Sequence, residues 1–260
     1  MFFTQVLGIN DSGVMAGYHG SGADAQHPNK GFEIDIRGAF TDENYPGSLQ
    51  TQVVAINAKG DTAGFYVDIY NRTHGFLRVG GVYTTVDFPN TMFNQLLGLN
   101  NYGVAAGYWQ DAKGIQYPYT VQGAVFRPIT TPGTSAQATG VNDKGDVSGF
   151  YVTAAGVTHG FWIPFGKPLV TIDYPASTFT QALGLNNLGD VVGSYTDAPG
   201  KTHGFIYNVV STQFGSIDEI NGVGTTVVNG LDNLGQIVGY YVDMAGKTNG
   251  FVGTISSCRY

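Results

Sequence analysis

Short runs of alternating apolar and polar residues recur along the whole chain. Each run is roughly five to eight residues long, is rich in β-branched and aromatic residues, and is bounded by Gly, Pro, Asn or Asp. Successive side chains of a β-strand point to opposite faces of its sheet, so this alternation predicts strands, and the bounding residues predict tight turns. The pattern therefore favours an all-β protein and gives long helices little support.

The runs recur in the same order six times, with a period of about 44 residues. The first run of each copy ends at an Asn or Asp followed three residues later by Gly, which suits a type I turn closed by a left-handed glycine. These turn residues are Asn10, Asn57, Asn100, Asn142, Asn186 and Asp232. Three further runs complete each copy, and in five copies the third run contains a Gly-Phe pair. Each copy therefore predicts a four-stranded antiparallel meander.

Six such meanders predict a single six-bladed β-propeller of four-stranded antiparallel blades. One sheet cannot bury both of its faces, whereas sheets packed radially around an axis can. The repeats run approximately over residues 4–50, 51–93, 94–135, 136–179, 180–224 and 225–260, within one domain of residues 1–260. Few residues follow the third run of the last copy, so we expect the last blade to lack most of its outer strand. A β-solenoid and a pair of β-sandwiches are the alternatives, but the hairpin turns favour antiparallel meanders.

The links between runs indicate which strand is innermost. The link from the third run to the fourth is too tight to cross a blade, whereas the link from the fourth run to the next copy is looser and contains Pro. We therefore place the first run at the central channel, the fourth at the rim, and the Phe of each Gly-Phe pair in the core between blades. Glycines inside strands predict the close approach of a neighbouring sheet. Examples are Gly64, Gly75, Gly107, Gly193 and Gly204.

Composition and charge make several partners unfavourable. The formal net charge is −7, with 12 Lys and Arg and no basic run, so the chain lacks the positive surface that binds nucleic acid or an anionic membrane. No apolar stretch approaches the roughly 18 residues of a membrane span. Cys258 is the only cysteine, so no intramolecular disulfide is expected. The first residues do not form a signal peptide, which indicates that a leader was removed or that the sequence begins at a repeat boundary.

The repeat motif is G-[IL]-N-x-x-G, followed by V-x-G-x-Y, T-H-G-F and T-x-D-x-P. It is similar to the HAF-type repeat of predicted extracellular bacterial proteins. The resemblance spans essentially the whole chain and is best at residues 57–89, 142–175 and 186–218. It is weakest at residues 29–32 and through the third copy. The resemblance implies a secreted or periplasmic propeller and implies no particular activity.

The histidines give little sign of a catalytic or metal site. His74, His159 and His203 occupy the same slot of different blades, and equivalent slots of a propeller are spread around the ring instead of converging. We expect each imidazole to bond its own hairpin loop or the next blade. No motif implies a cofactor, and we expect neither a cofactor nor a metal.

The first and third copies depart most from the repeat, the first through a long irregular loop, and function is often grafted at such departures. His19, Asp24 and His27 are the weak candidates for catalysis, and the two histidines are also a weak metal signal. Acids that recur at equivalent positions are interpreted as turn caps. The acids that fit no repeat position are Asp24, Asp42, Glu43 and Glu219. Nothing in the sequence brings two of them to a common site.

A ring of amides near the axis is the more informative feature. The same early position of the inner strand holds Gln5, Gln52, Gln95, Gln137 and Gln181, with Val227 in the sixth copy. The same face carries aromatic residues beside Pro or before the glutamines; they are Tyr45, Phe88, Tyr174, Phe3, Phe93 and Phe179. Amides bond hydroxyls in both senses and aromatic rings stack on apolar sugar faces, so the set suits a sugar. The alternative is that the glutamines bond neighbouring strands and the aromatics sit between blades.

The sequence is compatible with three functions. The first is a binding or scaffold propeller, extracellular or periplasmic, with a carbohydrate, a peptide or another small polar ligand at the channel mouth. The second is a hydrolase or lyase with its active site at that mouth, since fold does not decide function. The third is a structural module that self-associates through the incomplete last blade, because an uncovered strand edge invites pairing with another chain.

Overall fold

The computed structural model of the protein describes residues 3–20 and 28–255. These ranges form 23 strands in six antiparallel sheets and contain no helix. The alternating runs of the sequence therefore all become strands, and the runs of each copy pair with one another in chain order.

The strands group into six blades, one for each copy of the repeat. Blade 1 contains β1 (Phe3–Ile9), β2 (Met15–Gly20), β3 (Lys30–Ile34) and β4 (Phe40–Asp42). Blade 2 contains β5 (Gln50–Ile56), β6 (Thr62–Val67), β7 (Thr73–Val79) and β8 (Val82–Thr85). Blade 3 contains β9 (Asn94–Leu99), β10 (Val104–Gln110), β11 (Gln116–Gln122) and β12 (Val125–Pro128). Blade 4 contains β13 (Ser135–Val141), β14 (Val147–Val152), β15 (Thr158–Ile163) and β16 (Val170–Ile172). Blade 5 contains β17 (Phe179–Leu185), β18 (Asp190–Thr196), β19 (Thr202–Asn208) and β20 (Gln213–Ile217), and blade 6 contains β21 (Thr226–Leu231), β22 (Gln236–Val242) and β23 (Thr248–Thr254).

The sheets close into a ring. The first strand of each blade contacts the first strands of both neighbouring blades, and β1 contacts β21, β22 and β23 of the last blade. The six-bladed propeller is confirmed, with the first strands at the axis, the fourth strands at the rim and three strands in blade 6. The inner strands all run in one direction, so the ring has two unlike faces. The glutamine face is the end where Gln5 and its equivalents lie, and the asparagine face is the end where Asn10 and its equivalents lie.

Aromatic side chains fill the spaces between blades. Phe32, Phe76, Phe161 and Phe205 of the Gly-Phe pairs are fully buried, as predicted. Phe76, for example, packs in one cluster with Ala16 of the preceding blade. Removing a phenylalanine side chain from water contributes about 1.5–3 kcal/mol, so these rings are a main source of the stability that an isolated sheet lacks.

Glycine permits two kinds of close contact inside the blades. At Gly204 a Cβ would collide with Val228 of the next blade's inner strand, as predicted. At Gly75 it would meet the Val86 carbonyl of its own blade at 2.7 Å and Leu96 of the next blade at 3.0 Å. At Gly64, Gly107 and Gly193 the predicted partner is wrong, because a Cβ would collide with a glutamine carbonyl of the inner strand of the same blade. The tight pairing of the first two strands, which includes a register shift in each blade, explains this difference.

A chain of side-chain amides joins the blades near the asparagine face. Each turn Asn accepts hydrogen bonds from its own turn at Oδ1 and donates from Nδ2 to the main-chain carbonyl of the equivalent residue in the next blade. The five bonds are 2.9–3.3 Å long and lead from Asn10 to Asn57, Asn100, Asn142, Asn186 and Asp232. One residue therefore shapes the turn and also sets the distance between neighbouring inner strands.

The sixth interface, between the last blade and the first, departs from this pattern. Asp232 accepts at Oδ1 from Leu234 and Gln236 like the asparagines, but its Oδ2 is buried and has no hydrogen-bond partner. A carboxylate cannot donate as an amide does. The seam keeps a bond that other interfaces also have: the main-chain N–H of Asn233 donates to Asp11, as that of Asn187 donates to Asn233. Asn229 adds a bond to the Val6 carbonyl.

Replacing Asp232 with Asn is expected to stabilise the protein. Asp232→Asn supplies the missing donor and removes a buried acceptor without a partner, so we expect the free energy of unfolding to rise by about 1–2 kcal/mol. Urea unfolding at neutral pH measures this change. Asn100→Asp is the matched control, because Asn100 Nδ2 donates to the Asn142 carbonyl, so the variant introduces the same defect at another interface and should destabilise by a similar amount. Equal stability of Asp232→Asn and the wild type contradicts this account of the seam.

Candidate functional site

A cavity of about 230 Å³ lies on the axis at the glutamine face; we call it the mouth cavity. Two rings of inner-strand residues line it, and they lie two positions apart because such residues point to the same side of a strand. The outer ring is Gln5, Gln52, Gln95 and Gln137. The inner ring is Leu7, Val54, Leu97, Thr139, Leu183 and Asn229. Tyr18 and Phe65 of the second strands complete the described lining.

The predicted glutamine ring is thus formed in part. Four of the five glutamines line the mouth cavity, while Gln181 is not among the residues that line it. Val227, at the sixth position, is buried. The amides come together because equivalent positions of six inner strands surround one axis.

Two tyrosines hold two of the amides in one orientation. Tyr18 and Tyr108 pair across the first two strands with Gln5 and Gln95, and each phenol donates to the Oε1 atom of its partner over 2.8 Å. Burial, together with the nearby Tyr240, raises the pKa of Tyr18 to about 12, and burial also raises the pKa of Tyr108. Both phenols therefore stay protonated and remain donors, which leaves the N–H groups of the two amides for other partners.

The other glutamines have different partners. Gln137 donates from Nε2 to the Oε1 of Gln116 over 3.0 Å, so its own Oε1 is left as an acceptor. Gln52 pairs across the strands with Phe65, which offers no hydrogen bond. The outer ring therefore presents both donors and acceptors from neutral groups.

The inner ring is mainly apolar. Leu7, Val54, Leu97 and Leu183 supply four of its six positions. The two polar residues there are already engaged with the next blade. Thr139 donates to the Ala182 carbonyl over 2.8 Å, and Asn229 donates to the Val6 carbonyl over 3.0 Å.

None of the six aromatic residues predicted on this face lines the mouth cavity. Phe3 and Phe93 lie against Tyr18 and Tyr108. Tyr45 stacks on Tyr66 with ring centroids 3.7 Å apart, and Tyr174 stacks in the same way on Tyr195 at 3.6 Å. Phe88 lies against a tryptophan and belongs to the core between two blades. These rings pack between blades because apolar surface is available there on both sides of each ring. This is the arrangement of the alternative interpretation from the sequence.

Tyr18, Phe65 and the inner ring are the lining residues that the sequence analysis missed. The signal for the inner ring is present in the chain, since Leu7 and Leu97 lie two positions after Gln5 and Gln95 and must share their face. The signal for Tyr18 is weaker, because it depends on the register between two strands.

The mouth cavity is electrically neutral in its described lining. No Asp, Glu, Lys, Arg or His is among the residues of the structure that line it. Across residues 3–20 and 28–255, no three His, Cys, Asp or Glu side chains are grouped so as to hold a metal ion. The geometry is suited to binding an uncharged polar molecule through amide hydrogen bonds above an apolar floor.

The recurring histidines bridge strands at the glutamine face. The bonds to their own hairpin loops were expected, whereas those to the end of the outer strand of the same blade were not. His74 bonds Asp87 at the end of the outer strand over 2.6 Å and Asp68 of its own hairpin loop over 3.2 Å, and it stacks on Tyr66. Burial alone would lower the pKa of His74, but the hydrogen bonds and charges of the two aspartates outweigh it and raise that pKa.

The same bridge recurs in two other blades. His203 bonds Asp218 and Asp197 over 2.8 and 3.3 Å, and its pKa is raised for the same reasons. His159 bonds Asp173 over 2.8 Å. These imidazoles tie loops and strands together and do not converge on one site.

Of the catalytic candidates predicted in the first copy, one lies apart from the mouth cavity and two lie outside the described residues. His19 is at the end of β2, 4.0 Å from Asp42 and beside Phe40, and it does not line the cavity. Asp24 and His27 lie outside the described residues. Of the three candidates, the structure therefore places His19 alone, beside Asp42 and away from the mouth cavity.

Of the unpatterned acids, Glu43 has the most unusual surroundings. It is only 3% exposed, it accepts from Thr62 of the next blade, and its Oε2 lies 3.5 Å from Arg78 Nη1, which is also 2.9 Å from Glu33. The equivalent outer-strand positions of the other blades are apolar; they are Val86, Ile129, Ile172 and Ile217. Burial and the adjacent Glu33 carboxyl raise the pKa of Glu43 to about 8, against the opposing effects of Thr62 and Arg78. One interface between blades is therefore polar where the others are apolar.

The remaining acids and the opposite end of the channel are less suited to binding a ligand. Glu219 bonds Asn221 within its own loop. The asparagine face holds a cavity of about 90 Å³, which is lined by the turn residues and their successors. Among those successors, Asn101 and Asn187 both donate to Asp143, so the polar groups there are largely satisfied by one another.

No protein-family model and no curated protein matches the sequence. Solved structures do match its fold. A protein assigned as TolB from Agrobacterium tumefaciens has a TM-score of 0.67 at 11% identity, over 98% of this chain and 91% of that one. The Aleuria aurantia lectin, solved with α-methyl-L-fucoside, has a TM-score of 0.60 at 12% identity, over 98% and 91%. The propeller domain of the trilobed protease from Pyrococcus furiosus has a TM-score of 0.54 at 9% identity, over 96% and 93%. Identities this low show a shared propeller fold alone.

The buried Glu43 predicts a pH dependence of stability. Because its pKa in the folded protein is about 8, above the ordinary value of 4.5, the folded state binds the proton more tightly than the unfolded chain. Stability should therefore fall as pH rises from about 4.5 through 8, by an amount on the order of 5 kcal/mol from this group. Urea unfolding at pH 5, 7 and 9 measures the fall, which Glu43→Gln should remove.

His74 and His203 also have raised pKa values, so they too should lower the stability as pH rises above about 6.5. Comparing the wild type with Glu43→Gln at each pH removes their contribution. Glu219→Gln serves as a control, because this acid lies in a surface loop and should leave the pH profile unchanged. Parallel profiles for the wild type and Glu43→Gln would show that Glu43 does not retain its proton.

Proposed function

We propose that the protein is a secreted or periplasmic binding propeller that takes a small neutral carbohydrate at the mouth cavity. The observation that carries the proposal is the ring of neutral amides around the cavity, four of them from equivalent positions of the repeat. Amides offer donors and acceptors together, as sugar hydroxyls require. A binding propeller also agrees with the fold that the lectin shares.

The lining favours binding over the alternative of a hydrolase or lyase at the same place. Hydrolysis of a glycosidic bond generally needs two carboxyl groups about 5–10 Å apart. The described lining supplies amides, aliphatic groups, a threonine hydroxyl, a phenyl ring and a phenol, and no carboxyl group. Transferring a charged ligand to such a site would cost far more than transferring a neutral one, since no opposite charge is present to pair with it.

The compartment is the part of the proposal that depends on the repeat motif. Its resemblance to HAF-type repeats supports a secreted or periplasmic protein and stays a prediction from the sequence. Within the described ranges, the structure has no helix of the length and apolarity needed to cross a bilayer.

A scaffold role has one specific observation in its favour, and we propose that two copies pair through blade 6. Within the described ranges, no strand pairs with the outer side of β23. Phe251 is partly exposed and Val252 is 52% exposed, whereas the equivalent phenylalanines of the four complete Gly-Phe blades are fully buried. The strand reads TNGFVGT, with neither charge nor proline to block edge pairing, so an antiparallel pair of copies meets no like charges.

Binding of neutral monosaccharides tests the main proposal. We expect isothermal titration calorimetry to detect glucose, galactose or their derivatives, and to show glucuronate binding at least tenfold more weakly than glucose because of its charge. Gln95→Leu should weaken binding about tenfold, since one hydrogen bond contributes about 1–1.5 kcal/mol.

Gln213→Leu is the matched control, because Gln213 is exposed on the outer strand β20 and should leave affinity unchanged. Absence of binding by every neutral sugar at roughly 10 mM overturns the proposal. Equal loss of affinity in both variants would also count against the mouth cavity as the site.

Sedimentation equilibrium over a range of protein concentrations tests the pairing through blade 6. We expect a dimer that Val252→Lys disrupts, because the variant places two like charges across the paired edges. Val79→Lys is the control, since this valine is comparably exposed on β7, whose outer side is already paired with β8. A monomer at all concentrations up to about 100 µM rules the pairing out.

A further inference from the structure

The mouth cavity changes in polarity with depth. The outer ring of amides and the inner ring of mainly aliphatic side chains lie two residues apart on the same strands, which separates them by about 6–7 Å. A volume of about 230 Å³ corresponds to roughly seven or eight water molecules, enough for one substituent of a sugar and part of its ring. A ligand that fills it must therefore be polar at one level and apolar below.

The donors and acceptors of the outer ring come from different blades. Gln5 and Gln95 accept from tyrosine hydroxyls at Oε1, so each turns unpaired N–H groups toward a ligand. Gln137 donates to Gln116 and has its Oε1 left to accept. The ring therefore offers N–H donors from blades 1 and 3 and a carbonyl acceptor from blade 4.

Most of the floor is unfavourable to hydroxyl groups. Leu7, Leu97 and Leu183 supply no hydrogen bond. Thr139 and Asn229 donate to carbonyls of the next blade, so their oxygens are left as acceptors at blades 4 and 6 alone. A sugar hydroxyl placed beside Leu7 or Leu97 would therefore lose water without gaining a hydrogen bond. A methyl group there would instead gain the contacts that the aliphatic ring provides.

An acetamido group complements the donors, the acceptor and the apolar floor of the mouth cavity. Its carbonyl accepts from N–H donors, its N–H donates to a carbonyl, and its methyl is apolar. We infer that the mouth cavity receives an acetamido group with its methyl toward Leu7 and Leu97, so that the ligand is an N-acetylated sugar. Gln5 or Gln95 donates to its carbonyl, and Gln137 accepts from its N–H. This inference rests on the proposed binding of a neutral carbohydrate.

Two pairs of sugars that differ only in this group test the inference. Calorimetric titration should show N-acetylglucosamine binding at least tenfold more tightly than glucose, and N-acetylgalactosamine more tightly than galactose. Equal or reversed affinities overturn the acetamido inference and leave the proposed function standing. Failure of all four sugars to bind overturns both.

Variants then locate the effect in the mouth cavity. Tyr108→Phe removes the hydroxyl that orients Gln95 and should reduce the preference for the acetylated sugar at least threefold, with the affinity for glucose little changed. Tyr195→Phe is the matched control, because its hydroxyl bonds Ser216 at the rim, and the preference should stay as in the wild type. Leu97→Asn, which makes the floor polar, should lower the preference as well. Thermal unfolding confirms that each variant is folded, and an unchanged preference in both Tyr108→Phe and Leu97→Asn overturns the assignment.

Discussion

The hydrogen bond from one blade's turn amide to the next blade's main chain is the constraint on which the ring depends. Each such Asn uses its oxygen to close its own turn and its nitrogen to reach the neighbouring blade, so turn geometry and blade spacing are set by one side chain. Glycine allows the inner strands to come this close; a Cβ at Gly230 would collide with the Leu7 carbonyl. The narrow channel and the cavity at its mouth follow from these two features, since wider spacing would pull the inner-strand side chains apart.

The fold could be predicted from the sequence because every level of the pattern agrees. The alternation gives the strands, the N-x-x-G quartets give the hairpins, and six copies of a sheet that cannot be stable alone give the ring. The glutamine ring followed from the same periodicity, apart from Gln181. The aromatic residues could not be placed, because Tyr45 and Tyr174 have apolar surroundings available both at the face and between blades, and only packing decides between them.

Other parts of the site depend on contacts that the sequence does not display. The role of Tyr18 requires the register of β1 on β2, which the bulge between Val6 and Gly8 shifts. The polar interface at Glu43 was visible only as an acid that fits no repeat position. Its meaning required the next blade, where Thr62 and Arg78 occupy the facing positions. A repeated sequence therefore predicts the features that its copies share. A residue that departs from the repeat can be interpreted only when the side chains around it in the structure are known.

The seam between blades 1 and 6 differs from the other five interfaces in connectivity as well as in chemistry. The polypeptide links every other pair of neighbours, whereas in the described residues the first and last blades are joined by packing and by the bonds of Asn229 and Asn233. In a repeat protein, whose stability is approximately a sum of neighbour terms, separation starts where the weakest term lies. The seam is the one interface whose opening stretches no connecting segment of the chain, so we expect the ring to begin opening there.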